Sequence, residues 1–225
     1  LDFAATESVK GFTLNAGQVC SAGTRLLVQR SIYDVFLTKV KKITEAVVPG
    51  ETFGPIITPA QFAKVQSYFK IAQDDGARLL TGGGVADVKD CKGGFFVKPT
   101  IYADVDNMMR IAREEIFGPV LSVIQVATVD EAFAVNNGVR YGLSSSVYTS
   151  NVNVAFRALQ DLDNGITYVN APTIGAEAHL PFGGVKETGN GHREGGWEVY
   201  EFYSETKVGY VDYSGALQRA QIDNY

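Results

Sequence analysis

Val120-Leu-Ser-Val-Ile-Gln-Val126 is followed almost at once by Thr128-Val-Asp-Glu131. The first run is short, apolar and rich in β-branched residues, as a strand requires. The second is a Thr-x-x-Glu capping box, which opens a helix expected to run to about Asn137. A strand feeding directly into a helix is the unit from which α/β folds are built. The same alternation appears on both sides of it. Leu26-Leu-Val-Gln-Arg30 reads as a strand. Ser31 is placed to cap a following helix, with Tyr33, Phe36, Leu37, Val40, Ile43 and Val47 at the 3.6-residue period and Pro49-Gly50 as its stop.

Thr58-Pro59-x-Gln61 reads as a further capping box with proline at the first helical position, and Phe62, Val65, Phe69 and Ala72 form the apolar stripe that ends at Gly76. Arg78–Thr81 and Phe95–Tyr102 are strand-like. Later come a strand at Ser144–Tyr148, a helix at Asn151–Leu162 and a strand at Ile166–Val169. Strands joined by helices through short turns imply a largely parallel twisted sheet covered by helices on its faces. Beyond Gly183, glycines interleave with charged residues as in a shaped surface loop. Lys207–Tyr213 reads as a last strand with no successor, either an exposed edge or an arm reaching another subunit, and the arm is favoured.

The chain has 225 residues, 45% hydrophobic and 11% aromatic, with a net charge of −5, so it can bury a substantial core and is not disordered. Twenty Lys and Arg against 25 Asp and Glu, with no basic run longer than a pair, argue against a nucleic-acid or anionic-membrane surface. No apolar run approaches the ~20 residues of a membrane span. Two cysteines make no disulfide framework, which points to a reducing cytoplasm.

Cys20 lies between Gly17 and Gly23, in a polar turn before a strand. Small flanking residues let a substrate and backbone N–H groups approach the sulfur, and exposure in a polar setting favours the reactive thiolate. A buried structural cysteine is the competing reading. Cys91, in Lys89-Asp-Cys-Lys92, reads as an incidental surface thiol. No Cys/His cluster has metal-ligand spacing, and Gly82-Gly-Gly84 lacks the context of a phosphate loop.

Three ordered segments carry a resemblance: Asn15-Ala-Gly-Gln-Val-Cys20, Glu114-Glu-Ile-Phe-Gly-Pro119, and Pro181-Phe-Gly-Gly-Val-Lys186 with Gly189-Asn-Gly-His-Arg-Glu194. Gly93–Thr100 and Tyr141–Leu143 add to it. Together they are similar to the aldehyde dehydrogenase superfamily over nearly the whole chain. The resemblance implies NAD- or NADP-dependent oxidation of an aldehyde to an acid. Cys20 would be the nucleophile, passing through a thiohemiacetal and a thioester, with its own N–H holding the oxyanion.

By the same resemblance Glu115 would bind the nicotinamide ribose, Phe117 would lie beside the ring, and Gln61 and Lys64 would also reach that ribose. Val19, Ser21 and Phe182 would line the aldehyde's path. The residues alone leave other readings open: a polar cap for Glu115, a helix cap for Gln61, a solvated helix face for Lys64 and a core aromatic for Phe182. His179 and His192 allow a cofactor-independent thiol hydrolase as an alternative, and a non-enzymatic binding domain is a third.

The resemblance also implies a cofactor domain upstream of Leu1, a general-base glutamate shortly before the cysteine, and a homodimer or homotetramer. With neither the domain nor that glutamate motif present, the expectation is a fragment: a catalytic domain over residues 1–203, a C-terminal oligomerisation strand and tail over 204–225, and no turnover by the chain alone. The run Asn170–Gly184 looks like that of members acting on semialdehydes and sugar aldehydes, so a small hydrophilic aldehyde is the expected substrate.

Overall fold

The computed structural model describes residues 1–216. In chain order the elements are α1 (Asp2–Thr13), β1 (Arg25–Gln29), α2 (Tyr33–Glu45), α3 (Pro59–Asp74), β2 (Arg78–Thr81), β3 (Thr100–Ala103), α4 (Arg110–Arg113), β4 (Val120–Val126), α5 (Val129–Asn137), β5 (Tyr141–Gly142), β6 (Ser144–Val147), α6 (Val152–Asp161), β7 (Ile166–Val169), β8 (Val185–Lys186) and α7 (Glu198–Phe202). Four strands form the main sheet in the order β1-β4-β3-β2. β4 pairs in parallel with both β1 and β3, and only β2 runs antiparallel. β6 and β7 make a parallel pair, and β5 and β8 a short antiparallel one.

Both faces of the main sheet are covered, and the side-chain alternation of a strand divides the core accordingly. Val120 and Ile124 of β4 and Tyr102 of β3 pack with Val65, Tyr68 and Ala72 of α3. Leu121, Val123, Ile101 and Ala103 point the other way, into a cluster with Phe12 of α1 and Phe36, Leu37 and Val40 of α2. Ser122 is fully buried on the α3 face and satisfies its hydroxyl by donating to the Ile111 carbonyl at 3.1 Å. A smaller cluster of Phe133, Ala158 and Leu162 joins α5 to α6.

Helix starts follow their side-chain chemistry where a capping residue is present. Thr128 accepts from the Glu131 N–H at 3.1 Å, Thr58 from the Gln61 N–H at 3.2 Å, and Asn151 from the Asn153 N–H at 2.9 Å. The capping boxes depart from the ideal. Glu131 reaches back to the Ala127 N–H rather than that of Thr128, and Gln61 turns away altogether. Ser31 caps nothing: it sits in a 3₁₀ turn, Arg30–Ile32, and α2 starts two residues later without a side-chain cap.

One strand expectation is shortened and one is not met. The Phe95–Tyr102 run enters the sheet only at Thr100, because Pro99 has no N–H for the ladder; before it, Val97 makes an isolated bridge to Val85. Lys207–Tyr213 forms no strand, and Val208, Val211 and Tyr213 are exposed. A strand is defined by ladder pairing with a neighbour, and among the described residues no strand pairs with this segment. Residues 217–225 of the expected tail lie outside them. Among the described residues no helix is long and apolar enough to cross a membrane.

The packing yields a graded expectation. Leu121→Ala, at a site with no exposure, should cost about 2–5 kcal/mol of unfolding free energy in urea titrations. Thr128→Ala should cost about 1 kcal/mol through loss of one cap bond. A reversed order would contradict this assignment of core and cap.

Candidate active site

The turn that carries Cys20 is built by an unusual backbone path. Asn15, Ala16 and Gly17 all have left-handed φ values of 50°, 56° and 69°, which reverse the chain at the end of α1. Asparagine and glycine tolerate this region; alanine does so at a cost of about 1–2 kcal/mol. Ala16 is 1% exposed and packs in the α3-side core, so burial holds the strained residue in place. Gly17 approaches the Glu115–Pro119 segment so closely that a Cβ there would lie 2.3 Å from the Gly118 carbonyl oxygen. Here glycine is required by space as well as by conformation.

Gln18 then ties the turn to the entrance of α3. Its Nε2 donates to the carbonyls of Asn15 and Pro55 at 3.1 and 3.3 Å, and its Oε1 accepts from the Ile57 N–H at 2.9 Å. The Ala22 N–H closes a tight turn on the Val19 carbonyl at 3.0 Å, and the Gly23 N–H bonds the Gly11 carbonyl at 3.1 Å. Thr173 donates to the Ser21 carbonyl at 2.7 Å, pinning the turn from the far side of the fold. Cys20 projects from this scaffold exposed, and neither its N–H nor its sulfur has a hydrogen-bond partner among the described residues.

Cys20 lines a cleft of about 810 Å³, and Glu115 lines the same cleft. The two adjacent glutamates have separate roles. Glu114 accepts two bonds from the Arg110 guanidinium at 3.0 and 2.9 Å and one from the Tyr68 hydroxyl at 2.9 Å. Arg110 holds the Glu114 carboxyl below its ordinary range, with Tyr68 adding to the effect. Burial, with Glu114 beside it, pushes the Tyr68 phenol up to about 12. Glu115 is exposed and has no partner among the described residues, so its oxygens are free to accept from hydroxyl groups.

Arg25, on β1 at the wall of the cleft, donates to Asn107 Oδ1 at 2.6 Å and to the carbonyls of Val135 and Asn136. Burial, with Arg113 nearby, lowers its guanidinium to about 10. It fastens the sheet to α5.

Phe117 is half-buried with φ of 58°, in the loop that carries Glu115. Gln61 directs its side-chain amide onto that loop, donating to the Ile116 and Phe117 carbonyls at 2.8 Å each. Lys64 is half-buried one turn further along α3 and is not on the cleft wall. Val19 is half-buried and Ser21 buried, both in the turn's frame rather than on the wall. Phe182 is also apart from the wall; its backbone bridges Glu194. His179 and His192 are exposed and off the cleft, His192 meeting Phe202 edge-on at 5.1 Å between ring centroids, so neither histidine lines the cleft with Cys20. Gln18 lies within the Asn15–Cys20 motif and Thr173 within the Asn170–Gly184 run, but neither is singled out by the sequence as a residue that holds the turn, because its bonds are to distant parts of the chain.

The chain belongs to the aldehyde dehydrogenase family, whose pattern it matches over residues 1–208. It is 40% identical over 217 residues to a betaine aldehyde dehydrogenase of Sinorhizobium fredii, covering 94% of this chain and 44% of that protein. It is also 40% identical over 202 residues to an alpha-ketoglutarate semialdehyde dehydrogenase of Haloferax volcanii, covering 88% and 42%. Among solved structures, the betaine aldehyde dehydrogenase of Staphylococcus aureus in complex with NAD+ superposes with a TM-score of 0.85 at 36% identity, over 89% of this chain and 41% of that one. The chain thus spans less than half the length of these relatives.

Two expectations follow from the geometry. Gly17→Ala should destabilise the protein by more than about 3 kcal/mol, since the methyl meets backbone. Gly76→Ala, equally left-handed at φ +84° but with open space around it, should cost only about 1 kcal/mol in the same unfolding titrations. For Glu114, a lowered folded pKa means that the wild-type advantage over Glu114→Gln is fully present above the unfolded carboxylate value of about 4.3. That advantage should vanish as pH falls through the folded value, so paired unfolding curves from pH 7 to pH 2 should converge at the acid end.

Proposed function

We propose that the protein oxidises an aldehyde to a carboxylic acid with NAD or NADP. The observation that carries this reading is that Cys20 and Glu115, both uncommitted to internal bonds, line one cleft. The Cys20 thiolate adds to the carbonyl carbon and forms a C–S bond, while the carbonyl π pair moves to oxygen. The free Cys20 N–H is available to that oxyanion, a donor whose loss elsewhere costs about 10²–10³ in rate. When bound, the nicotinamide supplies the acceptor for the hydride that leaves the same carbon. The resulting thioester is cleaved by water, releasing acid and restoring the thiol.

Glu115 would receive the ribose hydroxyls as an acceptor, with Phe117 beside the ring; Gln61 and Lys64 come from α3, next to that loop. Val19, Ser21 and Phe182 are carried over by resemblance as residues of the aldehyde's path. A small hydrophilic aldehyde or semialdehyde is the proposed substrate, in keeping with the compounds for which the relatives are named. We assign residues 1–203 to the catalytic domain. The exposed Val208, Val211 and Tyr213 support an arm at 204–225 that joins a homodimer or homotetramer. A cytoplasmic location accords with two free cysteines.

The test is NADH or NADPH production by the full-length protein on a panel of aldehydes. Cys20→Ala should reduce it at least ~10³-fold, the size of effect expected on removing a nucleophile. Glu115→Gln should raise the dinucleotide KM about tenfold, equivalent to ~1.4 kcal/mol for weakened charge-assisted bonds. Undiminished turnover by Cys20→Ala would overturn the reading.

A further inference from the structure

We infer that Thr173 is a positioning residue for Cys20: its hydroxyl sets the tilt of the turn that carries the sulfur. The consequence for catalysis rests on the function proposed above. Val19 to Ala22 form a tight turn, closed by the Ala22 N–H on the Val19 carbonyl at 3.0 Å, with Cys20 and Ser21 as its two central residues. A turn closed by one bond can rock as a unit about its two ends. Thr173 Oγ1 donates to the Ser21 carbonyl at 2.7 Å, one residue on from the sulfur, and removes that freedom. A Cβ at Gly23 would stand 3.2 Å from the same Oγ1, so glycine there leaves the hydroxyl its approach.

The Thr173 end of the bond is itself fixed. Its loop leaves β7 at Asn170, whose φ of 54° lies in the left-handed region that asparagine tolerates. The Asn170 N–H bonds the Val147 carbonyl at 2.9 Å. The Asn170 side chain donates to the Thr149 carbonyl and accepts from the Thr149 N–H, each at 2.9 Å. The Ser146 hydroxyl donates to the Ala171 carbonyl, and the Tyr168 hydroxyl to the Gly175 carbonyl at 3.2 Å. These bonds seat residues 170–175 on β6 and β7, a strand pair that shares no ladder with the main sheet among the described residues. The turn of Cys20 leads into β1 of that main sheet. The bond from Thr173 to Ser21 therefore joins the two sheets beside the sulfur, and Thr173 and Cys20 line the same cleft. Small misplacements of a reacting group are costly in rate, so a brace at this point bears on the chemistry.

Two substitutions isolate the hydroxyl. Thr173→Val keeps the shape and removes the donor, whereas Thr173→Ser keeps the donor. Hydrogen–deuterium exchange of the full-length protein, without cofactor or aldehyde, is read on peptides covering 18–24 and referenced to peptides covering β4, so that global loosening cancels. In Thr173→Val that exchange should accelerate about tenfold, the size expected for losing one bond and leaving its acceptor unpaired. The aldehyde kcat/KM should fall about tenfold, with the dinucleotide KM within about twofold of wild type. Thr173→Ser should stay within about twofold of wild type in every readout. Unchanged exchange with a lowered kcat/KM would overturn the inference in favour of a direct contact with the aldehyde. Accelerated exchange with an unchanged kcat/KM would reduce Thr173 to a structural residue, and a serine variant that behaves like the valine one would assign the effect to the methyl group; either overturns positioning by the hydroxyl. A wild-type protein that turns over no aldehyde would sink the function proposed above, while exchange alone would still decide whether Thr173 holds the turn.

Discussion

Gly17 and Gly118 bring two stretches of main chain together with no side chain between them. The turn that carries Cys20 and the loop that carries Glu115 are ninety-five residues apart, and this contact makes them one site. It requires glycine at position 17 for two reasons, a left-handed φ and the absence of a Cβ. It also explains why Ala16 accepts an unfavourable conformation. Straightening the reversal would withdraw Ala16 from the core and Gly17 from the loop together.

The surrounding sheet makes that contact rigid. β4 follows the loop directly and is buried on both faces, with Leu121 and Val123 against α1 and α2 and Val120 and Ile124 against α3. α3 supports the loop from one side: Val65 lies where a side chain at Gly118 would stand, and Gln61 bonds the carbonyls just before it. β1 supports the turn from the other side, its parallel pairing to β4 fixing where the chain leaves the cysteine. A site held between rigid elements can leave its reactive groups free of internal bonds, because their direction is set by backbone and packing.

The paired glutamates show how tertiary structure assigns roles to like residues. Glu114 and Glu115 are neighbours with the same chemistry. Arg110 and Tyr68 converge on the first and commit its charge to joining α4 to α3. The second faces the cleft with both oxygens available. The large cleft also separates the readings that Cys20 allowed, since both histidines that a thiol hydrolase would recruit lie away from it.

Much of this was legible from local pattern. β4, β7 and the start of α5 appear where periodicity and capping chemistry put them, because strand alternation and N-cap bonds are decided by residues a few positions apart. The motif around Cys20 and the Glu114–Pro119 segment were legible as chemistry through their resemblance to the aldehyde dehydrogenase superfamily, not through local periodicity. Ser31 failed as a cap, and Phe95–Tyr102 was cut to a strand from Thr100. Lys207–Tyr213 formed no strand, since pairing depends on a partner that propensity cannot name. That Gln61 bonds the Phe117 carbonyl, that Glu115 and not Glu114 is free, and that Phe182 lies off the cleft wall were decided only by the fold. Each depends on a contact between distant parts of the chain, and a residue's own neighbours carry no record of what packing will bring against it.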